Sequence, residues 1–270
     1  MDSVEPSSED SIDGRGKQLK EKGFVIRFAN EFGVSVDGLK EGKWHPAHPV
    51  SLNLCKSILE DPISSAVIRN ALMNPKLPGL HELPGLPELP GLPKLPGLHE
   101  RPPLPELCAL KVLGPDDDSI YIPAHETPQQ TSPKETQRPA FAVIAMGWSS
   151  QSAGTIYSGS HRYIMKSKKD GIGWNKVSSE AMKENMERLP ITRREVVFDR
   201  GALLLMDSRT AFTLREGRAV FYLFASPEAQ KRIDELIFPE WSKKLVEPSV
   251  EALKATAKEV GMRVNTQWKG

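Results

Sequence analysis

The sequence has little cysteine. Only two of its 270 residues are cysteines, Cys55 and Cys108, which favours an intracellular, reducing compartment. The first sixteen residues are acidic and polar and lack the apolar core of a secretory signal peptide. From these two features we expect a cytoplasmic protein.

The chain also lacks an excess of either charge and any long apolar run. It has 36 Lys plus Arg against 35 Asp plus Glu, for a net charge of +1, so electrostatics gives no basis for binding nucleic acid or an anionic membrane. No stretch approaches the roughly 18 apolar residues that cross a bilayer as a helix. We therefore expect small molecules as partners, and neither nucleic acid nor membrane.

Common catalytic motifs are absent as well. The sequence contains no Gly-x-Ser-x-Gly elbow, Walker loop, dinucleotide fingerprint or Cys-x-x-Cys pair. Its 270 residues, 39% of them hydrophobic, are enough for a full core. The length favours one domain with additions.

The N-terminal third divides into a tail and a helical region. Residues 1–16 have the composition of a disordered tail, with order expected from Lys17. Residues 17–76 predict a short basic helix, a first strand from Phe24 to Phe28, and a pair of helices broken near Pro62.

A proline-rich repeat follows at residues 77–107, where Leu-Pro-Gly-Leu-x-x occurs four times and then once imperfectly. Proline and glycine at this density exclude helix and central strand. In polyproline II, with three residues per turn, the leucines would share one edge that could dock on the domain. Overlapping Pro-x-x-Pro frames could also bind an SH3- or WW-type partner. A linker insertion is the simpler interpretation.

Residues 108–270 have the pattern of a β domain with C-terminal helices. Short β-branched or aromatic runs such as SIYIPA, AFAVIAMGW, EVVFDRGALLLMD and RAVFYLFASP alternate with Gly, Ser and Pro. A polar helix is expected at SSEAMKENMERL. Apolar spacing then predicts helices in PEAQKRIDELIFPEWSKK and in SVEALKATAKEVG. The predicted fold is mainly β with flanking helices, a jelly roll.

Two stretches carry a family resemblance. GTIYSGSHRY and FDRGALLLMDSRTAF, the latter followed by GRAVFYLFASP, resemble segments of phytanoyl-CoA dioxygenase-like proteins, which are iron- and 2-oxoglutarate-dependent oxygenases. The resemblance covers roughly residues 140–227 and implies a double-stranded β-helix of the cupin type. It also implies iron and 2-oxoglutarate as cofactors.

The resemblance does not extend to the iron ligands. The family binds iron through two histidines and a carboxylate, and its second histidine falls at Phe212, whose ring has no lone pair. His125 is the candidate for the first histidine, but Thr127 stands where the carboxylate should be. Glu126 would point to the opposite face of a strand unless a bulge intervenes. We expect no stoichiometric iron.

Four other residues are candidate site residues. The resemblance implies that an arginine on the final strand pairs with the oxo-acid, and Arg218 matches that location, with Arg209 as a second cofactor-binding candidate. His161 and Asp207 are the candidate base and acid of a metal-free reaction. Each also has a structural interpretation: Arg218 as a strand-end charge, His161 as a turn residue, and Asp207 with Arg209 as a local ion pair.

Three functional hypotheses follow. The first is a divergent oxygenase-like protein that has lost its metal ligands and binds a small molecule or a partner. The second is an enzyme, either an active oxygenase or a metal-free isomerase or cyclase acting on a small molecule such as a secondary metabolite. The third is an interaction protein that works through its proline-rich repeat. Fold analogy does not choose among them.

Overall fold

The computed structural model describes residues 11–27, 36–37, 48–73, 104–123, 142–163, 165, 167–169, 174–226, 229 and 236–270. The repeat up to residue 103 and the candidate ligand His125 lie outside these residues. The helices are α1 (Ile12–Lys22), α2 (Pro49–Glu60), α3 (Pro62–Leu72), α4 (Ser179–Arg188) and α5 (Lys243–Glu259). None of the described helices is long and apolar enough to cross a membrane.

The strands form two large sheets and a small one. Their bounds are β1 (Phe24–Arg27), β2 (Glu106–Leu113), β3 (Asp116–Ile122), β4 (Ala142–Trp148), β5 (Ser152–Ser158), β6 (Lys168–Lys169), β7 (Asn175–Val177), β8 (Thr192–Phe198), β9 (Ala202–Asp207), β10 (Ala211–Glu216), β11 (Ala219–Ala225), β12 (Leu236–Pro239), β13 (Arg263–Val264) and β14 (Thr266–Lys269). Among the described residues, sheet I has the order β1, β9, β4, β11, β2, β13, and sheet II has the order β6, β7, β3, β10, β5, β8. This is a double-stranded β-helix with helices outside, which confirms the predicted fold class.

Sheet I is buried on both faces, and β9 shows why its sequence is a continuous apolar run. Leu204 and Met206 belong to the core between the two sheets, whereas Leu203 and Leu205 belong to the core shared with helices α1, α2, α3 and α5. Because strand side chains alternate between faces, a strand covered on both sides needs apolar residues at every position. Tyr222 of β11 also ties sheet I to α2, since its hydroxyl donates to the Ser51 carbonyl at 2.7 Å.

The predicted break between two helices is confirmed. Asp61 ends α2 and is the N-cap of α3, where its Oδ2 accepts from the Ser64 backbone N–H at 2.6 Å. Pro62 follows at the first helical position, where its missing N–H costs no hydrogen bond. Arg27 of β1 forms an ion pair with Asp61, and this pair attaches the first strand to the helix junction.

The structure corrects several sequence-based boundaries. Residues 11–16 of the predicted tail are not a tail: α1 begins at Ile12, because the Ser11 side chain caps it by accepting from the Gly14 N–H at 3.0 Å. β2 begins at Glu106 and so takes in the last two residues assigned to the repeat insertion. Leu236–Pro239, predicted as helix, forms β12, which pairs in parallel with β14. The helix at Ser179–Arg188 is confirmed.

Candidate functional site

The two motifs that carry the family resemblance meet at one end of the fold. The turn after β5 contains residues 158–163, and the turn between β9 and β10 contains residues 207–211. Both pack against residues 20–23, where α1 ends and β1 begins. We call this meeting point the junction.

The turn after β5 caps the C-terminus of α1. The last carbonyl groups of a helix have no partner inside the helix and need one elsewhere when they are covered. Here three consecutive carbonyls accept hydrogen bonds from the turn. The donors are His161 Nε2 to Lys20 O at 3.0 Å, Arg162 Nη2 to Glu21 O at 2.8 Å, and both Gly159 N and Ser158 Oγ to Lys22 O at 3.1 and 3.2 Å. The Ser-Gly-Ser-His-Arg segment therefore has a structural role that the sequence did not reveal.

His161 is buried in the junction and neutral. Its Nε2 donates to a carbonyl, so Nδ1 is the unprotonated nitrogen, and no described group hydrogen-bonds to it. Burial lowers the pKa of His161, and the nearby Asp207 carboxylate offsets only part of that shift. The structure thus brings the two candidate catalytic residues into one place. Their roles as base and acid stay predictions, since each already has partners inside the protein.

Asp207 and Arg209 form a closed ion pair. The guanidinium donates from Nε to Asp207 Oδ1 at 2.9 Å and from Nη2 to Oδ2 at 2.7 Å, the bidentate geometry that arginine favours. The Arg209 backbone N–H donates to the same carboxylate at 2.9 Å. The side chains of both residues are largely buried, at 12% and 6% exposed. The local ion pair that the sequence allowed is present, and a cofactor-binding role of Arg209 stays a prediction.

The pH dependence of stability is a test of the neutral state of His161. A histidine whose pKa is lowered by burial stays neutral in the folded chain, whereas the unfolded chain takes up a proton near the ordinary pKa of 6.5. Its contribution to stability is therefore complete above about pH 6.5 and is lost as the pH falls below that value. We expect His161→Gln, whose amide can still donate to Lys20 O, to lose less thermal stability than wild type between about pH 7 and about pH 5. If the thermal stability of the two proteins fell equally as the pH was lowered, His161 would not be neutral in the folded chain.

A glycine at the centre of the junction gives a second prediction. Gly23 has φ of +87°, and a Cβ there would lie 2.6 Å from Thr210 Oγ1 and even closer to His161 Nδ1. The left-handed backbone alone costs an L-residue about 1–2 kcal/mol, and the collision adds to that cost. We expect Gly23→Ala to lower the free energy of unfolding, measured in urea, by more than about 2 kcal/mol.

Gly16 provides the matched control on the same helix. A Cβ at Gly16 meets no atom within 4 Å, and alanine is the better helix former by about 1 kcal/mol or less. We expect Gly16→Ala to leave stability unchanged or to raise it slightly. If both variants were equally stable, the junction would not constrain the end of α1.

Phe212 lies inside the barrel, in the core between the two large sheets. Its side chain is fully buried, and its ring is surrounded by three others. The ring centroids lie 5.9 Å from Tyr121, 6.2 Å from Trp174 and 5.7 Å from Phe221. These distances are typical of packed aromatic pairs. We call these four residues the aromatic cluster.

The described residues do not fit an iron site at Phe212. A facial triad needs two imidazoles and a carboxylate, and the aromatic cluster offers one phenol and no such donor. Within the described part of the chain, no group of three His, Cys, Asp or Glu side chains could hold a metal ion. His161 is engaged at the end of α1, and His125 stays a prediction because it lies outside the described residues.

Arg218 lies far from the other candidates. Asp207 pairs with Val143 at one end of β4, and Ala219 pairs with Trp148 at the other end, a separation of about 17 Å at the usual rise of a strand. The backbone N–H of Arg218 donates to Ser149 Oγ at 2.9 Å. The inward positions of β11 after it are Ala219, Phe221 and Leu223, and none of these can pair with a carboxylate.

A small cavity opens beside the aromatic cluster. It is lined by Ala109, Lys111, Pro123, Ile144, Trp174, Phe221 and Leu223. The centre of a water molecule can reach about 20 Å³ of it, and its empty space including the open mouth is about 250 Å³. Ile144 pairs with Met206, next to Asp207, so the cavity lies at the same end of sheet I as the junction. We call it the mouth cavity.

The mouth cavity contains a lysine that the sequence analysis missed. Lys111 Nζ lies 5.5 Å from the ring centroid of Trp174, within the range of a cation–π contact. Lys111 is the single charged residue inside the otherwise apolar run Leu107–Leu113. A charge at an inward position of a core strand is a pattern that could have marked it.

Polar groups of sheet II contact Tyr121 of the aromatic cluster. The Tyr121 hydroxyl donates to Asp116 Oδ2 at 2.6 Å, and Lys176 Nζ donates to the same oxygen at 3.3 Å. Burial and the hydrogen bond to Asp116 raise the pKa of Tyr121, so its phenol stays protonated. Lys176 also lies 5.0 Å over the Tyr121 ring. Carboxylate and amine neutralise one another here.

Comparisons with known proteins give matches at low sequence identity. No protein-family model matches the chain, and no curated protein matches it. Among solved structures, the epimerase SnoN in complex with Fe3+, alpha ketoglutarate and nogalamycin RO is 12% identical over 80% of this chain and 83% of that one, with a TM-score of 0.45. The non-heme alpha ketoglutarate dependent carbocyclase SnoK from nogalamycin biosynthesis is 10% identical over 83% and 87%, with a TM-score of 0.43. Likeness of this size does not extend to a shared activity.

Proposed function

We propose that this protein is an oxygenase-like double-stranded β-helix of the phytanoyl-CoA dioxygenase type that has lost its iron site and binds a small molecule in its barrel. The observation that carries the proposal is Phe212, fully buried in the aromatic cluster at the position where the resemblance implies a metal-binding histidine. Two buried free cysteines are consistent with a reducing, cytoplasmic location.

The chemistry of the cluster supports the loss of iron rather than a simple change of ligand. A benzyl ring supplies no lone pair, and the neighbouring Trp174 and Phe221 supply none either. With an apolar wall in place of the donors, the interior is suited to apolar contact with a ligand.

A metal-free isomerase or cyclase that uses His161 and Asp207 is the second candidate. Both residues lie in the junction, and Asp207 is near enough to His161 to influence its pKa. However, Nε2 of His161 caps α1 and Asp207 is held by Arg209, so catalysis would require these contacts to break. The third candidate, a partner-binding role of the repeat, depends on residues outside the described part of the chain.

Iron content and 2-oxoglutarate turnover test the proposal. We expect wild-type protein, purified under reducing conditions and supplied with ferrous iron, to retain far less than one iron per chain and to form no succinate from 2-oxoglutarate. Phe212→His should behave in the same way, because a single imidazole does not complete a triad. Stoichiometric iron with succinate formation in wild type would overturn the proposal and make the protein an active oxygenase.

A further inference from the structure

Large apolar side chains are exposed at the start of α5. The exposed large hydrophobic side chains among the described residues are Ile12, Val197, Ile237, Trp241 and Leu245. Trp241 is 70% exposed and Leu245 is 58% exposed. The 3₁₀ turn Glu240–Ser242 runs directly into α5, and residues four apart on a helix share a face, so these two side chains lie on one side of the helix. We call them the Trp241 surface, and apolar exposure of this kind marks a contact surface.

Both ends of the proline-rich repeat lie near β13. At its C-terminal end, the Arg263 backbone N–H donates to the Pro105 carbonyl at 2.8 Å. At its N-terminal end, the repeat follows α3, whose last turn includes Arg69. A Cβ on Gly261, just before β13, would lie 3.8 Å from Arg69 Cδ. Residues 74–103, outside the described part of the chain, therefore start and end on the same side of the fold.

The Trp241 surface is within reach of the repeat. β13 is followed by β14, whose last residue, Lys269, pairs with Pro239 of β12, and Trp241 follows two residues after Pro239. The path along the chain from Arg263 to Lys269 is at most about 20 Å at the usual rise of a strand. About fifteen residues in polyproline II, half of the length available, span about 45 Å. The repeat is long enough to reach this surface and return.

We propose that the proline-rich repeat docks on the Trp241 surface of its own chain as a polyproline II segment. In that conformation the leucines at every third position form one apolar edge, and exposed aromatic side chains are the surfaces that bind such segments. Docking removes the indole and the leucine edge from water together. The inference stands apart from the proposed function, because it concerns the outside of α5 and not the interior of the barrel.

Tethering favours the chain's own repeat over other occupants. A segment held nearby at both ends has an effective concentration in the millimolar range, so even a weak contact forms within the chain. A second copy of the protein would need about 800 Å² on each partner, which is more than two side chains provide. An anionic membrane would meet Glu240, Glu247 and Glu251 in the same stretch, and their charges oppose it.

Fluorine NMR of the full-length protein labelled with 5-fluorotryptophan tests the docking. The Trp241 signal is assigned with Trp241→Phe, and wild type is compared with a variant whose residues 78–101 are replaced by a Gly/Ser segment of equal length. We expect the Trp241 signal to move in this variant, and a synthetic peptide of residues 83–96 to move it back at about millimolar concentration. The signal of Trp148, which is fully buried, should be the same in both proteins and shows that both are folded.

Trypsin cleavage inside the repeat gives an independent measurement. The sensitive bond follows Lys94, since Arg101 precedes a proline. We expect Leu245→Ser to speed cleavage after Lys94 at least about threefold, because the undocked fraction of the repeat rises. Val197→Ser is the matched control. Val197 is 63% exposed but lies on β8, so this variant should be cleaved at the wild-type rate.

Several results would overturn the inference. One is a Trp241 signal that does not change when the repeat is replaced in folded protein. Equal cleavage rates for Leu245→Ser and Val197→Ser would be decisive even if the replacement variant failed to fold. A Trp241 signal that depends on protein concentration, with a dimer in size-exclusion chromatography, would assign the surface to a second copy. A shift of the wild-type signal on adding phosphatidylserine vesicles would assign it to a membrane. The iron and succinate measurements bear only on the proposed function.

Discussion

Replacing Phe212 with alanine should lower the free energy of unfolding by about 3–5 kcal/mol, the usual cost of removing a fully buried aromatic ring. The ring is fully buried, and its centroid lies 5.7 to 6.2 Å from the centroids of three other rings. Its removal therefore leaves a cavity that the rigid aromatic neighbours cannot close. Urea denaturation followed by tryptophan fluorescence measures the loss.

Two further variants control this prediction. Phe212→Leu keeps part of the apolar volume and should cost clearly less than alanine. Val197→Ala removes a side chain that is 63% exposed on β8, and it should change stability by no more than about 0.5 kcal/mol. A loss below about 1 kcal/mol for Phe212→Ala would mean that the ring lies in open space. The barrel would then have room for a cofactor beside Phe212, which would contradict the proposed function.

Replacing Arg209 with methionine should cost about 3 kcal/mol or more, because it leaves the Asp207 carboxylate buried without its cation. The two side chains are 12% and 6% exposed and share two hydrogen bonds, so water compensates little. The double variant Asp207→Asn with Arg209→Met should recover part of the loss, since it removes the unpaired charge. Chemical denaturation of the two single variants and the double variant gives the coupling energy.

An exposed pair shows what an ordinary ion pair contributes. Lys254 and Glu251 lie on the surface of α5, and Lys254→Met should change stability by less than about 1 kcal/mol. If Arg209→Met were equally mild, Asp207 would have access to solvent. Asp207 would then be a better candidate for the catalytic acid than its observed contacts indicate.

Sequence patterns predicted the strands best where burial was uniform. Val143 to Trp148 and Ala202 to Met206 are apolar throughout, and both lie in central strands of sheet I, covered by the other sheet and by helices. β10 has no such pattern, because Ala211–Glu216 ends in two exposed charges. The sequence analysis identified there only the ligand position that Phe212 occupies. The strand itself was missed.

Long-range pairing explains the error at Leu236–Pro239. Its apolar spacing continued a helical pattern, but this segment pairs with Thr266–Lys269, about thirty residues further along the chain. Local propensity is weak compared with the burial that such pairing brings. The start of α1 was missed although its signal is local. Ser11 caps the helix, but the composition of residues 1–16 is that of a disordered tail.

The chemistry available at each position was determined by the sequence alone, because a side chain's donors do not depend on its surroundings. Phe212 cannot ligate a metal in any fold, two cysteines cannot build a disulfide framework, and alternating apolar runs required buried sheets. Tertiary structure decided which groups meet. The carbonyls of α1 reach His161 and Arg162 across 141 residues. Lys111 reaches Trp174 because β2 lies in sheet I and Trp174 directly precedes β7 of sheet II. Burial and contact come from distant segments packed together, so no local pattern could show that the junction is a helix cap or that Lys111 lies beside Trp174.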